Sequence, residues 1–364
     1  MFSKIFNLIK KYERIFSALG LISGIVLTPF ALTRVDMPIE NIWILIHLLI
    51  AIFGIIILNY YDNRVARGKS REMHKEVIHF WFSILIQFAY GNLFTTYIVF
   101  YFRSAVLSFA WPFLLFIFVL LIGNEIWKKH YHILTLQLTT LFLAVYMFVI
   151  FGLPVLLKRI GDDVFIWSGI YSLLFIFIFA LVLWGFTKEK FAKSKKGLVF
   201  SIIGTYLIMN GMYFLNIIPP IPLSLKTAGV YHDLSKNSAG NYVGYEEKVD
   251  WKNFFIEYPV FHRLNSEPVY VFGAVFSPAK LNTKIYHKWQ YFDVIDKKWK
   301  DSMTLEISIV GGREGGYRIY SSKEAIFPGL WRVDVLNINK QIIGRLKFSI
   351  EETKIKSEMV QVKI

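Results

Sequence analysis

The residues of this chain best suited to chemistry are thinly scattered, and none completes a constellation. His130 and His132 flank Tyr131 beside Lys129, and no third ligand lies nearby, so they do not make a zinc site. Gly311-Gly312-Arg313-Glu314-Gly315-Gly316 is rich enough in glycine to cradle a phosphate. It lacks the Gly-Lys-Ser/Thr ending of a nucleotide loop and precedes a strand, so it reads as a hairpin or bulge needing positive φ. Ser321 and Ser322 have no Gly-x-Ser-x-Gly context, and His232, His262 and His287 show no triad pattern. The chain has no cysteine, which removes disulfides, thiolate catalysis and cysteine-held metals. No catalytic residue, metal or cofactor is assigned, and the reading leans away from an enzyme.

Whatever chemistry there is must be positioned by two very different halves. The 364 residues are 55% hydrophobic with a net charge of +15, and the mean hydropathy is +0.46. That is too apolar for a soluble globule. Apolar segments near 15–33, 41–61, 77–101, 104–126, 133–157, 163–186 and 197–217 are each long enough to cross a hydrocarbon core about 30 Å thick. They predict an α-helical polytopic membrane bundle of about seven transmembrane helices over residues 1–217. The apolar stretch at 15–33 is longer than a signal-peptide core and no A-x-A-like site follows, so it reads as an uncleaved first span.

Basic residues alternate sharply between the connections. The N-terminal tail and the segments 64–75, 128–129 and 188–196 hold 16 Lys and Arg, whereas the intervening loops hold only Arg34, Arg103, Lys158 and Arg159. The positive-inside rule places the N-terminus in the cytoplasm, and an odd number of spans puts the C-terminal region outside the inner (plasma) membrane. The same loops account for much of the net charge. From Lys226 onward there are 21 basic against 16 acidic residues, too even a balance for a nucleic-acid partner.

Ionisable groups are scarce inside the spans, which deprives proton- or sodium-coupled transport of its usual machinery. The polar residues there are His47, Gln87, Asn92, Gln137, Tyr206, Asn210 and Tyr213, with Arg103 and Glu125 at span ends. Lone groups of this kind serve as interhelical hydrogen bonds. The competing expectation is that His47, Gln87, Asn92 and Asn210 line a transport or lipid-handling site.

Pro219-Pro220-Ile221-Pro222 cannot continue a helix and opens a stiff hinge and linker, taken as 218–245. Trp251, Phe254, Phe255, Tyr258 and Phe261 serve either as first core residues or as an interfacial aromatic belt. The region 246–352 then reads as short strands, with 353–364 as a tail. Glu267–Phe276 is apolar on both faces and predicts a covered central strand. Ile285, His287, Trp289 and Tyr291 share one face, as do Trp331, Val333 and Val335, with Arg332 and Asp334 opposite. Turn-punctuated strands of this length predict an all-β, immunoglobulin-like antiparallel sandwich.

His287-Lys288-Trp289-Gln290-Tyr291, Gly315-Gly316-Tyr317-Arg318, Pro328-Gly329-Leu330-Trp331-Arg332-Val333-Asp334-Val335 and Ile343-Gly344-Arg345 together resemble a bacterial domain. It is the domain-of-unknown-function family numbered 2914. The resemblance covers about the last 150 residues and implies a bacterial membrane protein, but it brings no activity. Lys288 stands where the family's His-Arg-Trp pattern has Arg. The residues it picks out as candidate ligand-binding groups are His287, Trp289, Arg313, Tyr317, Arg318, Arg332 and Arg345. Gathered into one patch, they would bind an envelope polymer, an anionic lipid head group or a protein partner. Scattered, they are core anchors and solvated arginines.

Overall fold

The computed structural model of the chain describes residues 28, 32, 37–68, 72–104, 107–127, 130–220, 223–237, 241–248, 256–264, 267–277, 282–310, 316–355 and 357–364. The chain divides into two units, a helical unit holding most of residues 1–218, including all six described helices, and a β unit holding Pro219–Ile364 with all the described strands.

Six helices make up the described part of the helical unit: α1 (Pro38–Ala66), α2 (Glu72–Arg103), α3 (Leu107–Trp127), α4 (Leu134–Leu157), α5 (Asp162–Trp184) and α6 (Lys188–Phe214). About seven were expected, and the first, at 15–33, falls almost wholly outside the described residues. Five helices are long and apolar enough to cross a membrane, while the apolar stretch of α3, Ala110–Ile126, is shorter. Short connections make neighbours antiparallel, so the turns α1–α2, α3–α4 and α5–α6 lie at one end of the bundle. Helix α4 is the most enclosed. Its carbonyls at Ala144 and Met147 accept hydrogen bonds from the phenols of Tyr97 and Tyr101, at 2.7 and 3.2 Å. On α5, Gly169 permits close packing, because a Cβ there would sit 2.7 Å from the Tyr206 ring and 2.8 Å from the Tyr146 hydroxyl.

The helices outrun their apolar windows. Helix α6 begins at Lys188, about nine residues before the expected span, because Lys, Glu and Ala form helix well without being hydrophobic. Helix α1 likewise runs on through Asp62 and Arg64, and α2 takes in Lys75 and His79.

In the β unit, β1 (Ser224–Tyr231), β2 (Asp233–Lys236), β3 (Tyr242–Glu247), β4 (Val260–Leu264), β5 (Val269–Phe276), β6 (Asn282–Asp293), β7 (Lys298–Val310), β8 (Tyr317–Lys323), β9 (Gly329–Leu336), β10 (Ile342–Thr353) and β11 (Met359–Lys363) form three sheets. Their orders are β1-β5-β8, β4-β10-β9-β6-β7 and β11-β3-β2. The first two share a core of Val269, Val271, Trp289, Trp331, Val333 and Phe348. The other face of β5, through Phe272 and Ala274, packs with Tyr231 of β1 and Tyr242 of β3. The expectation of a strand covered on both faces is therefore met by β5. The inward rows of β6 and β9 are also as their alternation implies.

Three expectations need correction. The segment 218–245 is not simply a hinge, since β1 pairs along the whole length of β5, and β2 with the start of β3 falls there too. The segment 353–364 is not simply a tail, because β11 pairs with β3. These short polar strands gain their stability from pairing, which local composition does not register. Finally, the sheets are not purely antiparallel, as β4 lies parallel to β10.

Candidate functional site

Alternation on the five-stranded sheet turns Trp331, Val333, Phe348 and Trp289 inward and so turns their neighbours outward. Register then aligns two rows on that outer face. One runs Arg345, Asp334, Lys288 and Thr304, and the next runs Lys347, Arg332, Gln290 and Asp301. In the first row Arg345 grips Asp334 with two hydrogen bonds, Nε to Oδ1 at 2.5 Å and Nη2 to Oδ2 at 2.6 Å. Lys288 pairs with Asp301 at 2.9 Å across the rows. Lys347 pairs with Glu257, and its ammonium lies 5.4 Å from the centre of the Tyr258 ring.

Arg332 is held differently. Its Nε donates to Gln290 Oε1 at 2.8 Å, and Gln290 Nε2 in turn donates to Asp301 Oδ1 at 2.6 Å. The guanidinium carbon lies 4.3 Å from the centre of the Trp299 ring. Trp299 and Tyr258 are nearly parallel, at 12°, with centroids 6.3 Å apart. Burial, then the neighbouring Arg345, pulls the Arg332 pKa down, while hydrogen bonds from Gln290 and Lys288 keep the Asp301 carboxyl low. The face thus joins oriented cations to an aromatic pair.

The structure separates the residues singled out from sequence. Arg332 and Arg345 share this outer face. His287 and Trp289 are fully buried. Both meet Ser321 Oγ, which accepts from Trp289 Nε1 at 2.9 Å and lies 2.8 Å from His287 Nδ1. Burial pushes the His287 pKa down to about 4, and its Nε2 has no hydrogen-bond partner. This is a neutral core histidine without solvent access, so the His287–Ser321 contact makes no nucleophilic pair. Tyr317 packs against the core around Val275 and Ile319. Arg318, on the three-stranded sheet, reaches Asn241 Oδ1 at 3.4 Å. Arg313 and the glycine run up to Gly315 lie outside the described residues, while Gly316, at its end, has φ +85°. Among the described arginines, Arg318 therefore lies apart from Arg332 and Arg345.

The intramembrane set is also dispersed. His47 Nδ1 meets Trp43 O at 2.8 Å within its own helix, and Asn92 caps Phe88 O at 2.9 Å. Asn210 donates to Tyr206 O at 2.7 Å and to Tyr146 Oη at 3.2 Å. Gln87 joins Glu125. Sequence reasoning missed a half-buried charged group, because it lay in the helix extensions. Asp62 meets His79 Nε2 at 2.7 Å and Lys190 Nζ at 3.0 Å. Lys190 also donates to Asn59 Oδ1 at 2.9 Å, and Asn59 donates to Gln137 Oε1 at 2.6 Å. From Gln137 the bonds continue through the Tyr131 carbonyl and hydroxyl to Asn124, and from Asn124 to the Gln87 carbonyl. A second cluster was missed in the β unit. His232 has Glu267 Oε1 at 2.6 Å on one ring nitrogen and Glu247 Oε1 at 3.1 Å on the other.

The stretch that carries the two rows is the one that comparison with known proteins picks out. Residues 282–350 match the family described as protein of unknown function (DUF2914). The DUF2914 segment spans β6 to β9 and most of β10, so it contains Arg332, Arg345, Lys288, Lys347, Gln290, Asp301 and Trp299 but not Tyr258. No curated protein matches the chain. Among solved structures, the chain is similar to Pseudomonas fluorescens alkylpurine DNA glycosylase AlkC bound to DNA containing an abasic site analog. The identity is 10% and the TM-score 0.23, over 88% of this chain and 99% of that one. A score that low carries no argument about fold or function.

Proposed function

We propose that the chain is a multi-pass protein of the bacterial inner membrane whose helical bundle is an anchor and whose β unit binds a ligand outside the cytoplasm, without catalysis. In this reading the first two sheets form an immunoglobulin-like sandwich, extended by the third. The observation that carries it is the outer face of the five-stranded sheet, where two adjacent rows hold Arg345, Lys288, Lys347 and Arg332 beside Trp299 and Tyr258. The dispersal of His47, Gln87, Asn92 and Asn210 supports an anchor over a transport site.

Orientation is tested with the natural absence of cysteine. Single cysteines replace Lys193 and Ser357, and intact spheroplasts are treated with a membrane-impermeant maleimide. Labelling at Ser357 alone, with both positions reactive after lysis, is the expected result. Labelling at Lys193 alone inverts the topology and removes envelope ligands from consideration.

A second reading, a transporter or lipid-handling enzyme, is favoured by the run of polar groups from half-buried Lys190 and Asp62 through buried Asn59, Gln137 and Asn124 to Gln87. Uptake or flipping by the reconstituted chain that Asp62→Asn abolishes would support it.

A further inference from the structure

We propose that the outer face of the five-stranded sheet recognises a glycan carrying single carboxylates, with Arg332 as the group that binds the carboxylate. This rests on the reading of the β unit as a binding domain and gives its ligand a chemical class.

Charge counting comes first. Across the two rows and their ion-pair partners, the cations are Arg345, Lys288, Lys347 and Arg332, and the carboxylates are Asp334, Asp301 and Glu257. Three of the four cations are matched by an acid, so the surplus is one. Phosphate polymers and anionic bilayers draw their affinity from several unpaired cations acting together. A surface with one spare charge, ringed by carboxylates, repels such polyanions nearly as much as it attracts them.

The spare cation is also the best prepared. Asp301 holds Gln290, and Gln290 holds Arg332 Nε, so the guanidinium is fixed before any ligand arrives. Among the described residues neither Nη1 nor Nη2 of Arg332 has a hydrogen-bond partner, which leaves a two-nitrogen fork of the geometry that takes a carboxylate bidentately. Beside it lie the near-parallel rings of Trp299 and Tyr258, with Arg332 over the one and Lys347 over the other, and their remaining apolar surface is where the C–H face of a sugar ring would rest. Asp301, whose side chain is 61% exposed, is placed to accept from ring hydroxyls. One fixed fork, one aromatic floor and one exposed acceptor describe a sugar acid.

The test uses the full chain in nanodiscs of zwitterionic lipid. The probes are oligogalacturonate, the same oligosaccharide with its carboxyls reduced to alcohols, inorganic polyphosphate and phosphatidylglycerol vesicles. Oligogalacturonate should bind and the reduced form should bind much more weakly. Arg332→Gln and Arg332→Lys should each weaken oligogalacturonate by roughly tenfold or more, since lysine keeps the charge and loses the fork. Trp299→Ala should do the same, while Arg318→Gln on the other sheet should change nothing. Thermal melting of each variant shows whether it is folded. Equal binding of the reduced oligosaccharide, or insensitivity to Arg332→Lys, overturns the proposal. Polyphosphate or vesicle binding that Arg332→Gln abolishes, without oligogalacturonate binding, overturns the glycan and leaves the binding domain standing. If none of the four probes binds, both readings fall.

Discussion

Replacing Glu247 by Gln tests whether the third sheet is pinned electrostatically to the rest of the β unit. Glu247 is on β3, and its carboxylate accepts from His232 Nε2 at 3.1 Å, from His262 Nδ1 at 2.8 Å and from the His262 amide at 2.6 Å. His262 lies on β4, in the five-stranded sheet, so the pin joins two sheets. Burial works against the charge, but the hydrogen bonds from His232 and His262 outweigh it and push the Glu247 pKa down to about 2. Against an ordinary glutamate, and discounted for solvent screening, that depression is worth about 2 to 3 kcal/mol. Glu247→Gln keeps the shape and removes the charge. Amide exchange in β3 and β11 at pH 7 should accelerate about 30- to 140-fold, with β9 much less affected. In the unaltered chain the carboxylate's contribution is complete above about pH 4.5 and is lost as pH falls toward 2. His232 behaves oppositely. Burial lowers its affinity for the proton, and hydrogen bonds to Glu247 and Glu267 raise it further than that. Its contribution is complete below about pH 6.5 and disappears as pH rises through the elevated value. An unchanged exchange rate in Glu247→Gln, or protection of β3 that is flat from pH 6 to pH 10, would refute the electrostatic pin.

Two further outcomes follow from charge pairs elsewhere. Asp334→Ala removes the carboxylate that takes two hydrogen bonds from the largely buried Arg345 guanidinium and should cost at most about 3 to 5 kcal/mol, whereas the double change Asp334→Leu with Arg345→Met should cost less, both read from exchange in β9 and β10. Asp62→Asn removes the common partner of Lys190 and His79 and should lower the melting temperature of the detergent-solubilised helical unit. Lys190→Met paired with Asp62→Leu should restore much of the loss.

The β unit was readable wherever one face alternated strictly. Trp331, Val333 and Val335 inward, with Arg332 and Asp334 outward, needs only the period of a strand. What no local pattern contains is register. That Trp299 of β7 meets Arg332 of β9 depends on β6 lying between them, and Tyr258 arrives from a loop outside the DUF2914 segment. Strand β1 was missed because its Lys, Thr and Gly look like linker, and only β5 alongside makes them a strand. In the helical half, hydropathy located the apolar centres of the helices and cut off their polar ends. Asp62, His79 and Lys190 lay in those ends, so the charged cluster stayed hidden.

The pairing of β3 with β11 joins Tyr242–Glu247 to Met359–Lys363, across more than a hundred residues of intervening chain. At ribosomal speed that interval is on the order of ten seconds. Throughout it β3 has β2 on one edge but lacks β11 on the other, and the parallel match of β4 must likewise wait for β10. Meanwhile β5 has already been made, and although β1 and β3 can pack on its Phe272 face, the face of Val269 and Val271 waits for Trp331 of β9 and Phe348 of β10. The nascent chain therefore carries one apolar face of β5 uncovered until Trp331 and Phe348 have been made, a surface that a holding chaperone would have reason to shield.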